Sequence, residues 1–142
     1  MSKIRPGASP PLSGNIPKPL PLPTSGIMRF SFKCLDLVSN PKFGLHHCAN
    51  GYLPKLLERL RDVCALKELD FRSSRSPALR AHQIDWEKTS EPGGFSCLNE
   101  QLRAIKAWQF EITSNAHGRV HGFLLEDTFY VVWVDPSHAL YP

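Results

Sequence analysis

The groups with the most chemical reach cluster near the end of this 142-residue chain. Arg119 and His121 stand two positions apart, Tyr130 follows, and His138 and Tyr141 come just before the end. A guanidinium holds anionic oxygens, an imidazole moves a proton near neutral pH, and a phenol stacks or hydrogen-bonds. That combination suits chemistry at a phosphate. Farther back, Arg80 and His82 are further candidates, and Arg75 adds a cation within the polar turn RSSRSP, residues 72–77. Each has a plainer role open to it. Arg119 can pair with Glu111 or Glu126, His121 can be a half-buried sheet residue, and Tyr130 can be core with its hydroxyl at the rim. Taken together they are denser in proton-transfer groups than a plain sheet needs. A second run, His46-His47-Cys48, offers three potential metal ligands. Adjacent residues rarely aim at one ion, and no ligand pair at zinc spacing accompanies them, so the reading is a loop and no metal.

These residues must be held by local structure, and the strongest pattern is 108–141. Trp108, Phe110 and Ile112 alternate with Gln109 and Glu111, which predicts a strand with one buried face. Turn residues at 114–118 lead to a second strand, Arg119 to Leu125, and Glu126-Asp127 to a third, Thr128 to Val134. Pro136 cannot donate to a ladder and should stop the pairing near Asp135. With a two-residue turn at Glu126-Asp127, Val120, Gly122 and Leu124 face Trp133, Val131 and Phe129, an apolar surface for helices to cover. Arg119, His121 and Phe123 then face Val134, Val132 and Tyr130 on the other surface. One residue of slip would move Tyr130 away from the two basic groups.

Upstream, Phe30, Phe32 and Cys34 alternate with Ser31 and Lys33, predicting a first strand within 29–38. Leu53, Leu56, Leu57, Leu60, Val63 and Cys64 recur at helical spacing, predicting one apolar stripe on a helix from Tyr52 to about Leu66. A short helix follows within 66–71, and Ser96 can cap another from Cys97 to about Lys106 with Leu98, Leu102 and Ile105 inward. The expected fold is α+β: an antiparallel sheet of about four strands, with one long and one or two short helices packed on one face.

Seven of the thirteen prolines lie in residues 1–27, which read as a disordered or polyproline-like tail ahead of a single domain over 28–142. That tail holds Lys3, Arg5 and Lys18 and no acid, so it carries +3 of the net +4 and leaves +1 for residues 29–142. A broad basic surface for gripping duplex nucleic acid is therefore not expected. No apolar run is long enough for a membrane span and no secretory h-region opens the chain, which points to the cytoplasm and to no membrane partner. Four widely spaced cysteines then read as reduced thiols.

The ending HGRVHGFLLEDTFYVVWVDPSHALYP, residues 117–142, resembles the C-terminal end of RelE-like toxins of toxin–antitoxin systems. The order of strand, long helix, shorter helix and antiparallel strands is similar too. AHQIDW and WQFEI, residues 81–86 and 108–112, also resemble segments of uncharacterised bacterial proteins with this ending. The resemblance implies an endoribonuclease acting on messenger RNA, often on the ribosome, without a metal or other cofactor, and restrained by an antitoxin. It implies attack of a ribose 2′-hydroxyl on the adjacent phosphate. Arg119 and Arg80 would stabilise the phosphorane, and His121 or His138 would exchange protons. Tyr130 or Tyr141 would stack on a base or assist proton transfer, with His82 and Arg75 contacting substrate. The alternative is a RelE-like fold without catalysis, a protein- or RNA-binding accessory module of a mobile element or phage.

Overall fold

A computed structural model describes residues 26–142 other than His47, Arg75 and Asn115. Residues 1–25 of the expected tail, and the substrate-contact candidate Arg75, lie outside the described residues. The elements run β1 (Arg29–Ser31), α1 (Tyr52–Val63), α2 (Glu68–Arg72), β2 (His82–Gln83), a 3₁₀ turn (Trp86–Lys88), α3 (Glu100–Arg103), β3 (Ala107–Glu111), β4 (Arg119–Leu125) and β5 (Thr128–Asp135). The class is α+β. The sheet has five strands rather than about four, in the order β1-β5-β4-β3-β2, and it is mixed, because β1 runs parallel to β5. Among the described residues no helix is long and apolar enough to cross a membrane.

The local reasons are visible in the residues. β1 stops at Ser31 because Leu35 N–H turns back to the Phe32 carbonyl at 3.1 Å. Asp36 then takes the N–H groups of Val38 and Ser39 at 3.1 and 2.9 Å, a side-chain turn that competes with a longer strand. In α1, Pro54 occupies the first turn, and Tyr52, Leu56, Leu60 and Val63 are buried. α3 is shorter than the expected 97–106 helix. Its cap is Asn99, whose side chain accepts from Leu102 N–H at 2.9 Å, so Ser96 is not the cap.

Both faces of the sheet are covered, which corrects the expectation of helices on one face. On the first, Leu56, Leu60 and Val63 of α1 and Phe71 of α2 pack over Trp108, Phe110, Val120, Leu124, Phe129 and Val131. On the second, Phe43, Phe95, Trp86, Leu102 and the C-terminal Leu140 pack over Phe123, Val132 and Trp133. The physical reason is β5 itself. Its run TFYVVWVD is apolar on both sides, as in strands buried between two layers.

The Glu126-Asp127 turn sets the expected register at first: Leu125 pairs with Thr128, Phe123 with Tyr130 and Gly122 with Val131. A bulge between His121 and Gly122 then leaves Val132 unpaired, so His121 faces Trp133 and Arg119 faces Asp135. These pairings replace the expected Val132 and Val134. Glycine is required at the bulge. A Cβ on Gly122 would lie 2.0 Å from the Tyr130 carbonyl oxygen. The extra residue carries Val134 into the α1 core and brings Asp135 beside Arg119 and His121.

Candidate functional site

Arg119, His121 and Tyr130 do share the face turned away from α1. β4 and β3 pair there so that His121 lies across from Gln109 and Arg119 across from Glu111, while β2 adds His82 opposite Gln109. A transverse row of polar groups results. Strand alternation places Gln109 and Glu111 on a solvent face. They are instead nearly inaccessible, because the second layer lies over them.

His121 is fully enclosed, at 0% exposure. Its Nε2 lies 3.0 Å from Asp135 Oδ2, and the Phe43 ring meets it edge-on with centroids 5.8 Å apart. Asp135 also anchors the chain end, its Oδ1 accepting from Ala139 N–H at 2.7 Å and its Oδ2 from Leu140 N–H at 3.0 Å. Burial pushes the His121 pKa down, and this outweighs the pull of Asp135. For Asp135 burial acts to raise the pKa, but the bonds from His121, Ala139 and Leu140 outweigh it and hold the carboxyl below its ordinary value. The stable arrangement is a neutral imidazole donating Nε2–H to a carboxylate. His121 Nδ1 then faces the interior with no partner among the described residues. A ring so enclosed exchanges no proton with a substrate while the C-terminal segment is seated.

Four of the other predicted residues fall into two groups, Arg119 with Arg80 and His82 with Tyr141. Arg119 and Arg80 converge on one oxygen, Glu111 Oε2, at 3.0 and 3.5 Å. Glu111 is 1% exposed, whereas the Arg80 side chain is 64% exposed, and Arg80 has a left-handed backbone with φ 46°. Glu111 Oε1 is buried without a partner among the described residues. In the second group Gln109 Nε2 donates to His82 Nε2 at 2.9 Å, and His82 Nδ1 is 2.8 Å from the Gln83 carbonyl. The Tyr141 ring stands 6.0 Å from His82, its hydroxyl accepting from Asp85 N–H at 2.9 Å. Tyr130 lies flat on Phe123 at 4.9 Å, part of the second core. His138 has φ 57° and a buried Nε2 with no partner among the described residues. Among the described residues, no three His, Cys, Asp or Glu side chains are grouped to hold a metal ion.

The first face carries a different feature. Between α1 and the segment after β1 runs a groove floored by Val120, Val131 and Val134. Leu56 and Leu60 form one bank and Phe32, Leu35, Leu37 and Leu45 the other, so every lining side chain is apolar. Phe32 is 53% exposed at its mouth, and Leu53 and Leu57 stand out on the adjoining flank of α1 at 53% and 57%. The expected stripe on α1 therefore splits. Leu56, Leu60 and Val63 are core, while Leu53, Leu57 and Cys64 are exposed. The signal was present in the sequence as a stripe wider than one packing face requires. No family model, curated protein or solved structure matches this chain.

Proposed function

We propose that this chain is a binding module built around its apolar groove, and that it does not work as a nuclease through His121. The observation that carries this reading is the contrast in access. The groove exposes Phe32 at its mouth, with Leu53 and Leu57 exposed on the same helix that forms one bank, whereas His121 is sealed beneath Phe43 and the C-terminal segment. Large apolar side chains contiguous on a surface mark a site where another molecule binds. The test places a photo-crosslinking amino acid at Leu57, with the exposed Leu69 of α2 as the control position. A single discrete adduct from position 57, absent from position 69, supports the module. Matching adducts from both positions, or none from 57, count against it.

A second reading keeps support from one cluster. It is a RelE-like, metal-independent ribonuclease acting on messenger RNA and held by an antitoxin. Two guanidiniums converge on the buried Glu111, and Arg80 projects into solvent. In this reading Arg80, the exposed member of the cluster, contacts a phosphate and Arg119 stabilises the phosphorane, and Glu111 reaches a 2′-hydroxyl proton only once the layer over it opens. His138 would supply the proton to the leaving oxygen, in place of His121. Inducible expression with mapping of RNA 5′ ends decides it. New ends that vanish with Arg119→Ala and Glu111→Gln favour the enzyme. An unchanged RNA population removes it.

A further inference from the structure

Two of the four cysteines come together at the edge of the second layer. Cys34 lies in the turn that follows β1, where Leu35 N–H returns to the Phe32 carbonyl. Phe32 and Leu35 face the groove, whereas Cys34 packs against the second cluster, as Leu98 and Leu102 do. Cys97 lies in the turn before α3, where Leu98 N–H donates to the Phe95 carbonyl at 3.0 Å. Both thiols line one open cavity of about 440 Å³ with Asp36, Leu98 and Leu102. Cys34 is half-buried and Cys97 exposed, so reagents in solution reach the pair. Cys48 packs on the first cluster, Cys64 is exposed at the end of α1, and neither lines this cavity.

Asp36 is the fixed point of the site. Its Oδ2 accepts from Trp133 Nε1 at 3.2 Å, and its Oδ1 accepts from the N–H groups of Val38 and Ser39. Cys97 is close enough to feel the charges of both Asp36 and Cys34. Burial first, and then the Asp36 carboxylate, push the Cys97 thiol up to about 11. A thiol held in this way yields little thiolate at neutral pH, which suits it to a second, intramolecular step and leaves the first attack to Cys34.

We propose that Cys34 and Cys97 form a modification site, a thiol pair that a small-molecule disulfide of the glutathione type oxidises reversibly to an intramolecular disulfide. The Cys34 thiolate attacks one sulfur of the small disulfide. That S–S bond breaks, one small thiolate leaves, and a mixed disulfide forms at Cys34. The Cys97 thiolate then attacks the Cys34 sulfur and expels the second small thiolate. Two electrons pass from the protein to the small disulfide, and the two protein protons end on the two released thiols. Both cysteines sit in turns and outside the paired strands, so their Cα atoms can settle at the roughly 4–7 Å that a disulfide spans. The bond closes a loop of 64 residues and ties Leu35, in one bank of the groove, to the turn before α3. It forms whether or not the groove binds a partner.

The test uses the full chain, reduced and then equilibrated in mixtures of reduced and oxidised glutathione. Free thiols are capped and the digest is read by mass spectrometry. A peptide bridged between Cys34 and Cys97 should dominate and should disappear with dithiothreitol. The bridge should raise the melting temperature by about 5 °C or more, as closure of a long loop does. On the reduced chain, dibromobimane fluoresces when it spans two neighbouring thiols. Its signal should fall about tenfold in Cys34→Ser and in Cys97→Ser, because one thiol cannot be spanned. Both variants change one atom at an accessible position and should keep the melting temperature of the reduced chain. Cys48→Ser and Cys64→Ser should leave the bridge and the fluorescence unchanged. Separate glutathione adducts at Cys34 and Cys97 without a bridge would mean that the two thiols do not reach each other, and would overturn the proposal. So would a bridge that uses Cys48 or Cys64, one that joins two chains, one that forms only in urea, or four thiols left unmodified.

Discussion

The two faces of one sheet solve opposite problems. The α1 face is apolar throughout, yet its cover is incomplete, and a groove stays open between α1 and the segment after β1. The second face buries Gln109, Glu111, His121 and Asp135, yet its cover is complete over the imidazole. Gln109, Glu111, His121 and Asp135 therefore lie where solvent does not reach, while apolar side chains line the open groove. Buried polar groups that are bonded to one another fix a register and a chain end. Asp135 joins β5, β4 and the C-terminal segment through three bonds. This comparison weakens an inference from residue type to catalysis and strengthens one from exposed apolar area to binding.

The sharpest way to break the comparison is to remove Asp135. Asp135→Ala deletes the acceptor for His121, Ala139 and Leu140 at once and strands them in the interior. The expected loss is about 3–5 kcal/mol, because three buried donors lose their acceptor at about 1–3 kcal/mol each. It is read as a lower urea midpoint together with new protease cleavage after residue 135. A loss under about 1 kcal/mol would mean that the second face is held by its aromatic packing alone.

Leu140→Ala tests whether the chain end belongs to the core. Leu140 is fully buried against the second cluster. Truncation should cost about 2–4 kcal/mol. An unchanged midpoint would mean that the end is a loose cover and that His121 is open to solvent after all.

Much of this arrangement could be read in advance, and the rest failed for definite reasons. The hairpin, its two-residue turn and the shared face of Arg119, His121 and Tyr130 follow from alternation and turn chemistry. The bulge does not. Nothing in VHGF announces that Val132 drops out of register, although Gly122 is the residue that permits it. In the sequence Asp135 marks only a strand end, and its bond to His121 follows from the bulge. Gln109 and Glu111 looked solvent-facing because alternation reports polarity and cannot report a second layer. That layer is assembled from Phe43, Trp86, Phe95 and Leu140, four residues scattered along loops and a 3₁₀ turn. Of the candidate site, the types and the common face of the main residues were legible, but their access was not.

A smaller effect comes from pH. The pKa of His121 lies below its unfolded value of about 6.5, so the unfolded chain binds more protons between those two pKa values. The contribution of this group is fully present above about pH 6.5 and is lost as pH falls toward the folded pKa. Stability should decline between pH 7 and pH 5, by at most about 1.4 kcal/mol per pH unit from this group. His121→Gln lowers stability overall but should flatten that slope. A slope that persists unchanged in the variant would assign it to other groups and leave His121 accessible to protons in the folded state.

The smallest expected effect falls on the other face and separates the two most directly. Leu57 is 57% exposed, so Leu57→Ser removes little buried area and should alter stability by no more than about 0.5 kcal/mol. Leu56, its neighbour in sequence, is buried in the α1 core, and Leu56→Ser should cost about 2–4 kcal/mol. If Leu57 matters to the function while barely contributing to the fold, its variant keeps the melting temperature and loses the photo-crosslinked partner. If instead Leu57→Ser unfolds the protein as readily as Leu56→Ser, the groove is closed in solution. The α1 stripe would then be one packing face, and the difference between the two sides of the sheet would disappear.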